Sequence, residues 1–235
     1  MQKRTIVTVS IVAGVLLLGA TAAVAGPVIY RDVIVGEADA APTVTAAPTP
    51  TDPASTAAVD PADLSGEWAV ADGSFAGYRV DEVLNGTNVT VTGRTDDVTG
   101  SLTVDELSLT EAEFTVDVAS IATDSSSRDS YFRDNALRVS QFPTATFVLT
   151  DTVTATAQPV VGQVQTVSAT GDLTIAGVTR SVTFDLEAVL NSTDGQVAGA
   201  IPITFADFGV EAPNLGFVSV EPQGFVEFSL VIRPA

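Results

Sequence analysis

The sequence predicts an all-β domain of eight or more antiparallel strands with one short helix, preceded by an apolar segment and a proline-rich linker. Three observations support this prediction. Apolar and polar residues alternate with period two through most of residues 64–235, turn residues separate the alternating segments, and one Ser/Asp-rich segment departs from the alternation. Strands with one apolar and one polar face pack as a sandwich or close into a barrel. Periodicity alone leaves both architectures open.

The composition excludes several classes of function. The 235 residues include 29 acidic and 10 basic side chains, a formal charge of −19, and neither His nor Cys. The chain therefore cannot form a Ser-His-Asp or Cys-His pair, a His or Cys zinc or haem site, or a disulfide. Because nucleic-acid phosphates would be repelled by this charge, we expect no nucleic-acid partner.

An uncharged stretch of 26 residues, 5–30, separates Arg4 from Arg31. As a helix it would be about 39 Å long, and the hydrocarbon core of a bilayer is about 30 Å thick. We interpret residues 1–36 as a single-pass membrane anchor whose first basic residues stay in the cytoplasm, so that the rest of the chain is extracytoplasmic.

The alternative for the same segment is a signal peptide cleaved near Ala25, where small residues precede Gly26. Signal sequences usually have an apolar region of about 7–15 residues, and this one is longer, which favours the anchor. Both interpretations predict export of the remaining chain.

Residues 37–63 read as a linker between this segment and the domain. The stretch has no aromatic residue and is rich in Ala, Thr and Asp, with prolines at 42, 48, 50, 53 and 61. Such a composition buries too little surface to offset the entropy of ordering. We expect a semi-extended spacer that holds the domain up to roughly 80 Å from the membrane.

The strands are predicted from the alternation. In residues 111–118, Ala112, Phe114, Val116 and Val118 share one face. Comparable segments lie at residues 75–83, 89–93, 101–109, 144–150, 167–175, 182–188, 196–205 and 226–232. Turn signals fall at Asn85-Gly86, residues 97–100, Gly177 and Asp194-Gly195.

The exception to the alternation, residues 124–141, predicts the helix. Its Ser/Asp-rich start supplies N-cap candidates, and Pro143 follows its end. An apolar face is formed by Tyr131, Phe132, Asn135, Ala136 and Val139.

Acidic residues are plentiful, but none marks a catalytic site. The adjacent pairs are Asp81/Glu82, Asp96/Asp97 and Asp105/Glu106, and adjacent residues of a strand point to opposite faces. A hydrolase would need two inward carboxylates close together. No phosphate-binding loop or calcium loop occurs, so we expect no enzyme, no cofactor and no metal, and we assign the acidity to the outer surface.

The aromatic residues are more informative, since all 11 phenylalanines fall within residues 64–235. Their positions place Phe with aliphatic residues on the inward faces. An eight-stranded barrel either fills such an interior or holds one small ligand there, and both possibilities stay open. A wholly apolar lining without a buried acid or base would suit a hydrocarbon ligand.

Four motifs in order resemble the YceI-like domain family. They are Gly77-Tyr78-Arg79-Val80; the run from Ser120-Ile121-Ala122-Thr123 through Arg128-Asp129 to Phe142-Pro143 and Phe147; Gly171-Asp172-Leu173-Thr174 with Gly177-Val178-Thr179-Arg180; and Asp207-Phe208-Gly209-Val210. Each motif is weak alone, but their order is specific, and together they extend over essentially all of residues 64–235.

The resemblance implies an eight-stranded, lipocalin-like antiparallel barrel with a helical insertion that binds a polyisoprenoid or similar long-chain amphiphilic lipid. Members often carry His after the opening strand and sometimes at position 176, where this chain has Asp81 and Ala176, so a head-group contact by His is not expected. The positions assigned to ligand contact are Tyr78, Phe114, Tyr131, Phe132, Phe142, Phe147, Phe184, Phe205 and Phe228. Arg128 and Asp129 are expected to be structural. The alternative is a structural or adhesive envelope domain whose barrel is filled.

Overall fold

The computed structural model describes residues 38–46 and 58–235. The segment interpreted as an anchor or signal peptide, residues 5–30, lies outside the described residues. Within the described ranges, no helix has both the length and the apolar character needed to cross a bilayer.

The described domain is a closed antiparallel β-barrel. Its strands are β1 (Gly66–Leu84), β2 (Thr87–Thr95), β3 (Val98–Asp105), β4 (Ser108–Asp117), β5 (Thr144–Leu149), β6 (Val153–Thr154), β7 (Val164–Ile175), β8 (Val178–Leu190), β9 (Gly195–Thr204) and β10 (Val218–Pro234). β2 and β3 pair with successive parts of β1, and β6 follows β5 along β4, so the ten segments act as eight strands. β10 pairs with β9 and β1 and closes the sheet. The predicted eight-stranded barrel is confirmed.

The hairpin turns follow the local sequence. Asn85-Gly86 joins β1 to β2 with φ values of 50° and 80°, and Ala176-Gly177 joins β7 to β8 with 49° and 78°. Two successive positive φ values are the geometry of the type I′ turn, whose twist matches that of the strands.

Two turn and strand predictions were wrong. The strand predicted at residues 101–109 is broken by a turn at Glu106-Leu107, where Glu106 has a φ of 52°. The turn predicted at residues 97–100 is instead a bend that separates β2 from β3, with residues 98–100 inside β3. The apolar positions change parity across this turn, from Leu102 and Val104 to Leu109, because residues that face each other across a two-residue turn are an odd number of positions apart.

The helical insertion is shorter than the predicted residues 124–141. Helix α1 spans Ser126–Tyr131 and continues as a π-helical turn over Phe132–Ala136. The Ser125 hydroxyl caps it by accepting a hydrogen bond from the Arg128 amide at 3.5 Å. The segment after it departs from helical geometry at Arg138, which has a φ of 52°.

The chain between β4 and β5 crosses one end of the barrel and holds α1 there. The backbones of Arg94 on β2 and Ala122 exchange two N–H···O bonds of 3.0 Å each. Beneath the crossing, Val118, Ile121 and Leu137 are buried in one cluster with the core of the barrel. The insertion is therefore part of the barrel wall at this end.

Residues 38–46 lie against the outside of the barrel. The Asp39 carbonyl accepts a hydrogen bond from Arg79 Nη2 at 2.6 Å, and the Ala40 carbonyl accepts one from Arg94 Nη2 at 2.8 Å. Further along, backbone amides of the segment donate to side chains on β8 and β9. This part of the predicted spacer is docked and not free, because its backbone finds polar side chains on the barrel surface.

Candidate ligand-binding cavity

Two cavities follow each other along the barrel interior. The barrel cavity extends from Trp68 to Leu173 and has a volume of about 300 Å³. The helix cavity, between α1 and the loop before β10, has a volume of about 490 Å³. They adjoin, since both are lined by Ala76, Val116, Ala145, Leu173 and Val226. The interior is therefore an open lumen, whereas the structural alternative requires a filled one.

Aromatic side chains shape the lining of both cavities. In the barrel cavity, Phe184 packs edge-to-face with Phe147 at 5.6 Å and with Phe228 at 5.9 Å between ring centroids. In the helix cavity, Tyr78 on β1 stacks on Phe132 at 4.8 Å. Offset and edge-to-face geometries are the favourable ones for aromatic pairs, so these contacts stabilise the packing of the rings in the cavity walls.

A glycine on β9 makes room for one of these rings. Gly199 lies directly opposite Phe228 in the sheet, and a Cβ atom at position 199 would come within 2.8 Å of the ring's Cζ. No other residue type fits there without displacing the ring.

Eight of the nine predicted contact positions line the lumen. Those in the barrel cavity are Phe114, Phe147, Phe184 and Phe228, and those in the helix cavity are Tyr78, Tyr131, Phe132 and Phe205. Their place in the lining is observed, and contact with a ligand stays a prediction.

Phe142 is the exception, since it lines neither cavity. It sits after the turn that follows α1, where its ring packs against the β7–β8 hairpin at Gly177 and lies 5.2 Å from the Arg138 guanidinium carbon. The family motif places this residue next to Pro143 but says nothing about which side of the wall it faces.

The expectation of a lining without acid or base was wrong. Glu82 on β1 points into the helix cavity and is only 5% exposed. Arg128 of α1 places Nη2 3.2 Å from Glu82 Oε1 and Nη1 2.5 Å from Asp124 Oδ1. Asp81, the other member of the predicted pair, is exposed on the outer face. An inward carboxylate engaged by a guanidinium forms an ion pair, and the two free, facing carboxylates that a hydrolase needs are not what this arrangement provides.

Asp129 fixes the start of the helix. Its Oδ1 accepts hydrogen bonds from the Thr123 amide at 2.9 Å and from the Thr123 hydroxyl at 2.7 Å. Arg128 thus ties α1 to the barrel through Glu82, and Asp129 ties the start of α1 to the segment that precedes it.

Burial and charge alter two pKa values at this site. Burial raises the pKa of the Tyr78 phenol well above its usual range, although the nearby Arg128 opposes the change. Burial alone would lower the pKa of Arg128, but the carboxylates of Glu82 and Asp124 outweigh it and raise that pKa. Tyr78 is therefore neutral and Arg128 charged throughout the physiological range.

Polar groups also line the opposite end of the lumen. Trp68 is 8% exposed there, and its Nε1 donates to the Leu64 carbonyl at 3.0 Å. Gln165 on β7 shares the inward face with Val167 and lines the barrel cavity. Its Oε1 is buried and accepts no hydrogen bond from the described residues.

The pairing between β8 and β9 covers only part of their length. These strands pair only from Leu186/Gly199 to Leu190/Gly195, while β9 continues alone along β10. A cleft of about 620 Å³ occupies the gap. Pro202 lies in the part of β9 that pairs with β10 but not with β8. It has no N–H to donate, which is consistent with the missing β8 pairing.

Exposed apolar side chains surround the mouth of the helix cavity. Leu215 and Phe217, in the loop before β10, are 54% and 58% exposed and also line the cavity. Exposed apolar residues next to a cavity are typical of a binding or entry surface.

Several lining residues were not identified from the sequence. Glu82 carries a usable signal, because it has the same parity as Tyr78 and Val80 along β1. Gln165 likewise has the parity of Val167. Leu215 carries no such signal, since it belongs to a loop whose position depends on the folded barrel.

The fold and lumen define the class of the protein: a closed eight-stranded barrel with an apolar interior and a helix over one end. Residues 68–232 match the YceI-like domain family. The chain belongs to this family, and the resemblance noted in the sequence is confirmed.

Relatives and solved structures agree with this assignment. A UPF0312 protein of Pseudomonas aeruginosa is 31% identical over 140 residues, which cover 56% of this chain and 69% of that protein. The fold is similar to a polyisoprenoid binding domain from Saccharophagus degradans implicated in plant cell wall breakdown, with 23% identity, a TM-score of 0.59, and coverage of 73% of this chain and 99% of that domain. It is also similar to Burkholderia cenocepacia BcnA, with 22% identity, a TM-score of 0.51, and coverage of 66% and 95%.

Proposed function

We propose that this protein binds a polyisoprenoid or similar long-chain lipid in its lumen and releases it without chemical change. The observation that supports this most is that the barrel and helix cavities adjoin, and that the residues lining both of them are all apolar. A lumen that runs along the axis fits an elongated chain better than a compact ligand. Each CH₂ group transferred from water contributes about 0.8 kcal/mol, so a chain that fills both cavities gains affinity with length.

The relatives support the ligand class. A domain from Saccharophagus degradans with this fold binds polyisoprenoid. The fold is shared and the aromatic lining of this chain offers the same kind of surface, so we extend the ligand class to this protein.

Binding without catalysis is part of the proposal. The chain has no His or Cys, and the inward acid Glu82 is engaged by Arg128. The inward acid is thus held in an ion pair. A carrier that releases its ligand unchanged needs neither a nucleophile nor a proton relay.

We further propose that the domain works outside the cytoplasm next to the membrane that anchors it. The apolar residues 5–30 support an anchor, with cleavage near Ala25 as the alternative. Since Asp39 is docked on the barrel, the eight residues 31–38 that separate it from Tyr30 can span at most about 29 Å. The docked segment thus keeps the barrel closer to the bilayer than a free spacer would.

Lipid extraction tests the function directly. The full chain is purified from its membrane fraction, washed in detergent-free buffer and extracted with organic solvent for mass spectrometry. We expect about one long-chain isoprenoid per chain. A chain that carries no lipid and takes up no added polyprenol would refute the proposal and favour the structural alternative.

A further inference from the structure

Acidic side chains outnumber basic ones among the described residues that line the two cavities. Among the described residues, Arg128 is the one cationic side chain in the lining of the two cavities, while the carboxylates of Glu82, Glu106 and Glu211 line them. Arg128 is already occupied, since Nη2 lies 3.2 Å from Glu82 and Nη1 lies 2.5 Å from Asp124. A ligand that carried a negative charge would meet excess carboxylate and no free guanidinium.

The cleft between β8 and β9 has the same excess of acidic over basic side chains. Its cations are Arg79 and Arg180, and its carboxylates are Asp81, Asp207 and Glu221. Arg79 is occupied as well, because its Nε lies 2.5 Å from Glu227 Oε1 and its Nη2 donates to the Asp39 carbonyl. In both cavities and in this cleft, acidic side chains therefore outnumber basic ones.

One neutral polar group does lack a partner inside the lumen. Gln165 Oε1 has lost contact with water and accepts no hydrogen bond from the described residues. An unpaired buried acceptor is unfavourable, and a ligand hydroxyl would satisfy it. The terminal torsion of Gln is soft, so the amide can turn its oxygen towards the barrel cavity that it lines.

We propose that the bound lipid is an uncharged long-chain isoprenoid alcohol, excluding its phosphate ester, and that the Gln165 amide binds the hydroxyl. This inference rests on the proposed function and narrows it: the apolar lumen selects the chain, the excess of carboxylates in the lining excludes an anionic head, and Gln165 orients a neutral one. An alcohol and a phosphate ester of the same chain length differ only at the head group. A difference in their affinities therefore reports on Gln165 and the acidic lining residues.

The test compares three ligands of identical chain length, the polyprenol, its monophosphate and its methyl ether, on the full chain reconstituted in phosphatidylcholine vesicles. Trp68 is the single tryptophan of the chain and lines the barrel cavity, so its emission reports occupancy. We expect the alcohol to bind at least tenfold more tightly than the monophosphate, and severalfold more tightly than the ether, which cannot donate a hydrogen bond.

Two glutamine variants test the residue. Gln165→Leu should bring the affinity for the alcohol down to that for the ether and leave the ether unchanged. Gln141→Leu, an exposed amide that lines neither cavity, is the matched control and should leave all three affinities unchanged. Circular dichroism melting verifies that both variants are folded.

The outcomes separate the two proposals. Monophosphate binding equal to or tighter than alcohol binding overturns the neutral head, while the lipid-binding function stands. Equal affinities for alcohol and ether, with no effect of Gln165→Leu, overturn the role of Gln165. If none of the three ligands changes Trp68 emission, the proposed function itself is wrong.

Discussion

Arg128 on helix α1 and Glu82 on strand β1 form an ion pair of 3.2 Å that joins the helical insertion to the barrel wall. The carboxylate is 5% exposed and the guanidinium 21% exposed, so the pair is only partly screened by water. This contact makes the insertion one face of the helix cavity, and its removal affects both the fold and the lumen.

Arg128→Met should destabilise the protein by about 1–3 kcal/mol, because it leaves Glu82 buried without its cation. Adding Glu82→Gln should recover part of that loss. Urea unfolding of the two variants and the parent chain measures both effects. A double variant as unstable as the single one would show that the unpaired charge is not the cause.

Because the Tyr78 phenol is buried, we expect the free energy of unfolding to fall at alkaline pH. Burial raises the pKa of its phenol in the folded protein above the usual value of about 10, so the phenol ionises first in the unfolded chain. Its contribution is complete below pH of about 10 and is lost as the pH rises above that value.

Relative to Tyr78→Phe, the parent chain should therefore lose about 1 kcal/mol of stability between pH 10 and 11. Urea unfolding across this range, with Tyr131→Phe as the control, measures the difference. Parallel curves for the parent and Tyr78→Phe would contradict the assigned burial effect.

A second ion pair, on the outer face, should matter for stability alone. Glu227 is 1% exposed and lies 2.5 Å from Arg79 and 3.8 Å from Arg94. Arg79→Met should cost about 2–4 kcal/mol, since Arg94 compensates only in part. Arg180→Met, which removes an exposed cation, should stay within about 0.5 kcal/mol of the parent. Chemical unfolding compares them, and similar values for the two variants would contradict this account.

We expect the exposed loop at the mouth of the helix cavity to affect the rate of lipid uptake. Changing Leu215 and Phe217 to Ser should slow lipid uptake from vesicles several-fold and leave the bound amount at equilibrium unchanged, because these side chains are 54% and 58% exposed. Val148→Ser with Val164→Ser removes apolar side chains of 41% and 42% exposure elsewhere and is the control. Stopped-flow transfer measures the rate. Equal rates for both double variants would exclude the loop as the entry site.

Period-two alternation predicted the strands and most of the lining. Ala112, Phe114 and Val116 face inward as their spacing required, and eight aromatic positions line the lumen. The same period places Glu82 on the inward face with Tyr78. Its neighbour Asp81 points to the outer face, so the two carboxylates do not form a pair. A carboxylate is assigned to the surface by composition alone, and its buried position depends on Arg128 from a distant segment.

Other features depend on tertiary structure that no local pattern encodes. The gap between β8 and β9 arises where the barrel stops pairing near Gly199, and Leu215 becomes a rim residue only when β10 closes on β1. The docking of Asp39 onto Arg79 joins residues 40 positions apart in a segment whose composition is that of a spacer.

A pair of substitutions on β5 tests whether an isoprenoid chain occupies both cavities of the lumen. Ala145 lines both cavities where they meet, whereas Val148 on the same strand is 41% exposed on the outer face. Ala145→Phe should therefore block the lumen, and Val148→Phe should leave it open.

The measurement is quenching of Trp68 emission in the full chain by a brominated polyprenol, since bromine quenches tryptophan on close approach. We predict saturable quenching at one ligand per chain for the parent and for Val148→Phe, and at least a tenfold weaker response for Ala145→Phe. Equal quenching in all three proteins, or none in the parent, would contradict this prediction.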